Sequence, residues 1–162
     1  MKKINFILFL LCFSNIFLYG CTKKMEPVTK TGFYLNTVIS ITLYDTTDTS
    51  LIDGAFAVCD SYEKLLSRTL EGSDIWNINH SNGTPTTVSA ETADLIQTAL
   101  TYCDITDGSV DITLAPLSDL WDFSSDKPKK VPADYEINAL LPNVDYRTVQ
   151  VQDNVVTLTN KK

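Results

Sequence analysis

The sequence predicts an α+β domain: a mixed or antiparallel sheet with helices packed on it. Three patterns carry this. An alternating apolar run rich in β-branched residues opens the folded part, two runs of helical period fill its middle, and a hairpin signal closes it in place of βαβ alternation.

The first twenty residues stand outside that domain. Lys2 and Lys3 form a basic start, Ile4 to Leu11 is an almost unbroken apolar run, and Phe13 to Tyr19 continues it with Ser14 and Asn15. This predicts a secretory signal, too polar at its end to read as a spanning helix. Leu18-Tyr19-Gly20-Cys21 has the pattern of a bacterial lipobox. The small residue lets a peptidase approach the backbone, and the thiol takes the lipid. An ordinary signal with an incidental cysteine is the competing reading; the cysteine's place, where the apolar run ends, favours lipidation at Cys21. The expected organisation is a lipoprotein signal over 1–20, a polar tether over 21–31 and a domain over 32–162. The expected location is export, with a lipid anchor in the bacterial membrane, facing outside the cytoplasm. Removing the signal still leaves enough chain for one domain with a core.

With 13 basic against 20 acidic residues and a net charge of −7, nucleic acid is excluded as a partner, because phosphate contact needs clustered Lys and Arg. Lipid rather than basic charge would hold the protein at a membrane. Of the four cysteines, Cys12 leaves with the signal and Cys21 is the lipid site. Export permits a disulfide between Cys59 and Cys103, but their places on apolar helix faces favour small buried core residues. His80, the one histidine, lies in a polar run and is expected in an exposed loop.

Phe33, Leu35, Ile39, Ile41 and Leu43 alternate with polar neighbours and Tyr44, which predicts a strand. Asp45 to Ser50 can cap a helix, whose apolar face is Ile52, Ala55, Phe56, Cys59, Tyr62, Leu65 and Leu66. Gly54 weakens its first turns by roughly 1 kcal/mol relative to alanine. Residues 71–83 read as a structured loop ending in an Asn82-Gly83 turn. Thr86 to Val88 is extended. Ser89 is an N-cap, with Glu91 in the first turn of a second helix that presents Ala93, Ile96, Ala99, Leu100 and Cys103 and ends near Gly108. Ser124 to Lys130 is a solvated loop. Pro132 and Asp134 open a third helix that Pro142 ends. Thr148 to Val151 and Val155 to Thr159 form a hairpin around Gln152-Asp153-Asn154. Few strands result for a stable sheet, so the chain is expected to be cut short.

No nucleophile elbow, phosphate-binding glycine loop or paired histidine supplies a self-sufficient active site. Asp45, Asp48, Asp53, Asp119 and Asp126 have polar neighbours and read as surface acids. Asp111, between Val110 and Ile112, is either a solvent-facing strand residue or a buried acceptor; composition favours the first, since carboxylates are mostly exposed. The stretch from Asp107 to Phe123, with its Asp-Gly-Ser-Val-Asp-Ile-Thr run, Pro116-Leu117 and Leu120-Trp121, asks for more than helix termination and predicts a pocket wall.

That order resembles the ApbE family of flavin transferases, in which a Gly-small-Phe-Asp-Pro-Thr run precedes Pro-Leu and Leu-Trp. Phe33-Tyr34-Leu35-Asn36-Thr37, Leu66-Ser67-Arg68, Ser73-Asp74-Ile75, Val88-Ser89 and Val131-Pro132 match further family segments in the same order. The resemblance implies an enzyme that splits FAD and transfers FMN to a Thr or Ser of a target flavoprotein, using Mg²⁺. It implies flavin-carrying subunits of membrane redox pumps as partners. It implies cofactor-binding roles for Leu35, Thr69, Ser109, Val110 and Asp111. Leu35 stands where the family has Met, Asn36 where it has Gly, Thr69 where an aromatic stacks on the flavin, and Ile112 where it has Pro. The family's Asp-Leu-Gly-Gly run and its metal ligands have no counterpart here, so the metal and catalytic residues are expected beyond Lys162. The alternative is a lipid-anchored module that binds a flavin or another ligand without catalysis.

Overall fold

The computed structural model describes residues 25–123 and 131–160. Cys21, the signal, the start of the tether and the 124–130 loop therefore lie outside the described residues. The described residues divide into two compact units: one takes in residues 25–33 together with Val38–Ala55, the other Tyr34–Thr37 together with residues 56–123 and 131–160.

β1 (Val28–Tyr34) and β2 (Thr37–Leu43) pair as a hairpin, which belongs to the first unit except for Tyr34–Thr37 at its tip. Hydroxyls pair across it, Thr29 with Thr42 at 2.8 Å and Thr31 with Ser40 at 2.9 Å. This corrects two expectations. The strand begins at Val28, inside the stretch read as tether, and the run from Phe33 to Tyr44 is broken by a turn. Leu35 and Asn36 both take positive φ, 52° and 57°, the combination of a type I′ turn that suits strand twist. Asn tolerates it; leucine adopts it at a cost of order 1 kcal/mol. Period-two alternation survives such a turn, because two residues preserve the phase.

Helix α1 (Ser50–Leu66) starts where Asp48 Oδ1 accepts from the Ser50 backbone N–H at 3.0 Å. Ile52 is completely buried, and Lys30 pairs with the exposed Asp53 at 2.7 Å. The rest of α1 belongs to the second unit, where the buried Phe56 stacks on Tyr34 with centroids 5.1 Å apart.

The second unit holds α2 (Asp74–Asn79), β3 (Thr86–Thr87), α3 (Ala90–Ile105), α4 (Ala115–Trp121), α5 (Asp134–Leu140), β4 (Val149–Gln152) and β5 (Val155–Leu158). The sheet is antiparallel in the order β3-β5-β4, with Val156 opposite both Thr86 and Val151. Ile78 of α2, Ala93 and Ile96 of α3, Val88, Val149 and Val156 form its core. The α+β expectation holds: the elements are helices and small antiparallel sheets.

Two helices were not among the expected elements. The Ser73 hydroxyl accepts from the Trp76 N–H at 3.1 Å and caps α2, inside the stretch read as a loop. Six residues are too few to display a helical period. In α4, Pro116 in the first turn supplies a preset φ, and Asp122 ends the helix at φ 47°. The second helix is as expected: Ser89 caps it, accepting from the Thr92 N–H at 3.2 Å, with Glu91 in the first turn. Cys103 is a buried free thiol and Cys59 a half-buried one, as their helix faces implied. His80 is exposed and stacks on Trp76 at 4.0 Å.

Candidate functional site

The end of α3 shapes the site. The helix ends at Ile105, Thr106 caps it with its N–H on the Tyr102 carbonyl, and the chain reverses through Asp107 and Gly108 at φ 49° and 75°. The Gly108 N–H returns to the Cys103 carbonyl at 2.9 Å, closing the helix end as a glycine in this conformation does. The Thr106 hydroxyl donates to the Tyr102 carbonyl at 2.8 Å and accepts from the Val110 N–H at 3.1 Å.

Asp111 follows. Its Oδ1 accepts from the Thr113 N–H at 2.7 Å and the Thr113 hydroxyl at 2.6 Å. Its Oδ2 accepts from the Tyr146 N–H at 3.0 Å, and Thr113 Oγ1 accepts from the Asp145 N–H at 2.9 Å. The opposite wall is the short 3₁₀ turn Tyr146–Thr148, capped by Asp145, whose Oδ1 accepts from the Arg147 N–H at 3.0 Å. Between the two walls lies an open cavity of about 480 Å³. Asp107, Gly108, Ser109 and Asp111 line one side and Asp145, Tyr146 and Arg147 the other; Leu114, Leu141, Pro142 and Val144 are its apolar contribution. Such a volume suits one ring-sized group with a few polar contacts.

Tyr146 is 6% exposed, and its phenol is pushed above its ordinary value by the Asp104 carboxylate and by burial, against the pull of Arg147. The Arg147 guanidinium lies 4.8 Å over the Tyr146 ring, a cation–π contact, and its Nη1 donates to Asp145 Oδ1 at 3.4 Å, which leaves its other N–H groups for a ligand. The cavity therefore offers the Ser109 hydroxyl and the Arg147 guanidinium as donors, beside the Asp111 and Asp145 carboxylates, which already hold partners.

Of the residues singled out in the sequence, Ser109 and Asp111 line this cavity. Val110 lies between them, 49% exposed. Leu35 stands on the tip of the β1–β2 turn, 46% exposed. Thr69 is exposed in the segment between α1 and α2. That segment is held by the Ser73 hydroxyl donating to the Ser67 carbonyl, and by Arg68, which grips Asp119 with two bonds of 3.0 and 2.5 Å. Asp119 is thus a surface acid, as expected, and a paired one. Asp145, Tyr146 and Arg147 were not among the sequence candidates. The Asp in front of a short polar-aromatic run was their signal, since an Asx cap needs that residue. No group of three or more His, Cys, Asp or Glu side chains is placed to share a metal ion among the described residues.

Comparison with known proteins now gives the class. Residues 35–162 match the model of the ApbE family. The chain belongs to the ApbE family. It is 30% identical over 152 residues to an FAD:protein FMN transferase of Escherichia coli, covering 85% of this chain and 43% of that protein. It is 35% identical over 96 residues to an FAD:protein FMN transferase of Salmonella typhimurium, covering 58% of this chain and 27% of that protein. Among solved structures, the ApbE protein of Thermotoga maritima superposes with a TM-score of 0.75 at 24% identity, over 84% of this chain and 46% of that one. The flavin transferase ApbE of Vibrio cholerae gives 0.69 at 22% identity, over 82% and 45%. These likenesses establish the fold, and the chain spans less than half the length of each relative.

Proposed function

We propose that this chain carries the N-terminal wall of the flavin site in an FAD:protein FMN transferase. The observation that supports it most is the position of the cavity. Its first wall is the Gly108–Asp111 run, the segment that resembles the family's pocket motif. On this reading Ser109 and the Arg147 edge hold polar atoms of FAD, and Leu114 and Leu141 cover an apolar face of a bound ring. Leu35, Val110 and Thr69 are proposed as further contacts reached by the ligand outside the cavity.

The reaction proposed is phosphoryl transfer. A Thr or Ser hydroxyl of the target flavoprotein attacks the FMN phosphorus, the pyrophosphate bond breaks, and AMP leaves. Mg²⁺ would neutralise charge on the pyrophosphate. The described residues do not form a site for it, so its ligands are proposed to lie in a portion corresponding to the rest of the relatives' chains. Export, lipid attachment at Cys21 and flavin-carrying subunits of membrane redox pumps as acceptors complete the proposal.

The test is a transfer assay with FAD, Mg²⁺ and a target protein bearing an acceptor Thr, read as flavin fluorescence surviving a denaturing gel. This chain alone is expected to transfer nothing, and a version extended by the portion that completes the family length is expected to label the target. Robust labelling by residues 21–162 alone would overturn the divided-site reading. FAD binding without labelling by the extended protein would favour a binding module.

A further inference from the structure

We propose that Asp111 is a positioning residue, the clamp that sets the distance between the two cavity walls, and that it does not contact the ligand through its carboxylate. This rests on the flavin reading only for the identity of the ligand. The geometry concerns the chain itself.

Three protein donors already occupy the two carboxylate oxygens at 2.6–3.0 Å: the Thr113 N–H, the Thr113 hydroxyl and the Tyr146 N–H. Two of these bonds close a local turn, but the third crosses 35 positions of sequence to the opposite wall. Thr113 adds a second crossing. Its hydroxyl donates to Asp111 and accepts from the Asp145 N–H, so one side chain joins both walls. Charge-assisted bonds of this kind are roughly twice as strong as neutral ones. Two consecutive backbone donors of the Asp145–Tyr146 turn are thereby anchored to the Asp111–Thr113 turn. Ser109, two residues earlier, lines the cavity and carries no such bonds among the described residues. The structure therefore divides the labour along one short segment: Ser109 faces the ligand, and Asp111 with Thr113 holds the frame.

Thr113 makes the idea testable, because it does not line the cavity. FAD affinity is measured by fluorescence titration of the full chain for wild type, Thr113→Val, Thr113→Ser and Asp111→Asn, alongside amide hydrogen exchange. Thr113→Val is expected to weaken FAD binding on the order of tenfold, as loss of a charge-assisted bond would. Thr113→Ser, which keeps the hydroxyl, is expected to restore affinity to within about threefold of wild type. In Thr113→Val and Asp111→Asn the Asp145 and Tyr146 amides should exchange faster, while those of Ala93 and Ile96 in α3 stay protected, which separates a loosened wall from a destabilised fold. The combination of Asp111→Asn with Thr113→Val should lose less than the sum of the two single effects, since they belong to one network. Unchanged exchange at Asp145 and Tyr146 in both variants overturns the clamp. So does full affinity in Thr113→Val beside loss in Asp111→Asn, which would make the carboxylate a direct ligand contact. Faster exchange at these amides in the two variants, with no FAD affinity in wild type, would overturn the flavin reading and leave the clamp standing.

Discussion

Ile78→Ala is expected to lower the melting temperature of the chain by about 10 °C, read by circular dichroism. Ile78 is 4% exposed on α2 and belongs to the cluster that joins α2 and α3 to β4 and β5. Removing its outer carbons loses the transfer free energy and leaves a cavity, about 3 kcal/mol together. For a domain of this size that corresponds to the stated shift. Leu95→Ala, on the outer side of α3 where the side chain is 48% exposed, is the control and should move the melt by about 2 °C or less. A comparable drop in both would show that α2 is not anchored by this core.

Asp74→Ala is expected to cost about 2 kcal/mol. The Asp74 Oδ2 accepts from the Ser89 N–H at 2.9 Å, the Ser89 hydroxyl at 2.7 Å and the Thr92 hydroxyl at 2.7 Å. One carboxylate thus fastens the start of α2 to the start of α3, and Thr92 is completely buried, so its hydroxyl would lose its acceptor away from water. Burial alone would raise the Asp74 pKa, but the bonds from Ser89 and Thr92 outweigh it and hold the group below its ordinary value. A depressed folded-state pKa stabilises above the unfolded value and loses that contribution as pH falls through the folded one. The difference in melting temperature between wild type and Asp74→Ala should therefore be constant from roughly pH 8 to pH 5, and shrink below about pH 4. A difference that grows on acidification would contradict the charged role of Asp74.

Most long elements were legible because a period of several turns repeats itself. The α1 face with Ile52 and Phe56, the Ser89 cap of α3 and the closing hairpin are all written in adjacent residues. What was not legible depends on pairs distant in sequence. Asp74 looks like any first-turn acid until Ser89 and Thr92 are brought beside it, and Asp111 looks like a solvent-facing acid until the Tyr146 N–H reaches it. The helices α2 and α4 are each about two turns or less, too short for a hydrophobic period to outweigh their turn-forming residues. The Leu35-Asn36 turn escaped for the opposite reason: the alternation on both sides runs in phase through it. Half of the cavity came from the resemblance through Ser109 and Asp111. The other half, Asp145 to Arg147, is held by backbone donors, and its one sequence signal, Asp145 as a cap, does not by itself point to a cavity.

The proposed occupant of the cavity between Ser109 and Arg147 is FAD. Fluorescence titration of FAD with the full chain tests it most directly, using wild type and Ser109→Trp, a substitution at an exposed cavity-lining position that fills the space without touching the core. Saturable quenching of flavin emission by wild type is the predicted result, weakened on the order of tenfold or more in Ser109→Trp at an unchanged melting temperature. Cooperative unfolding of wild type with no flavin affinity, or equal affinity in the two proteins, would contradict it.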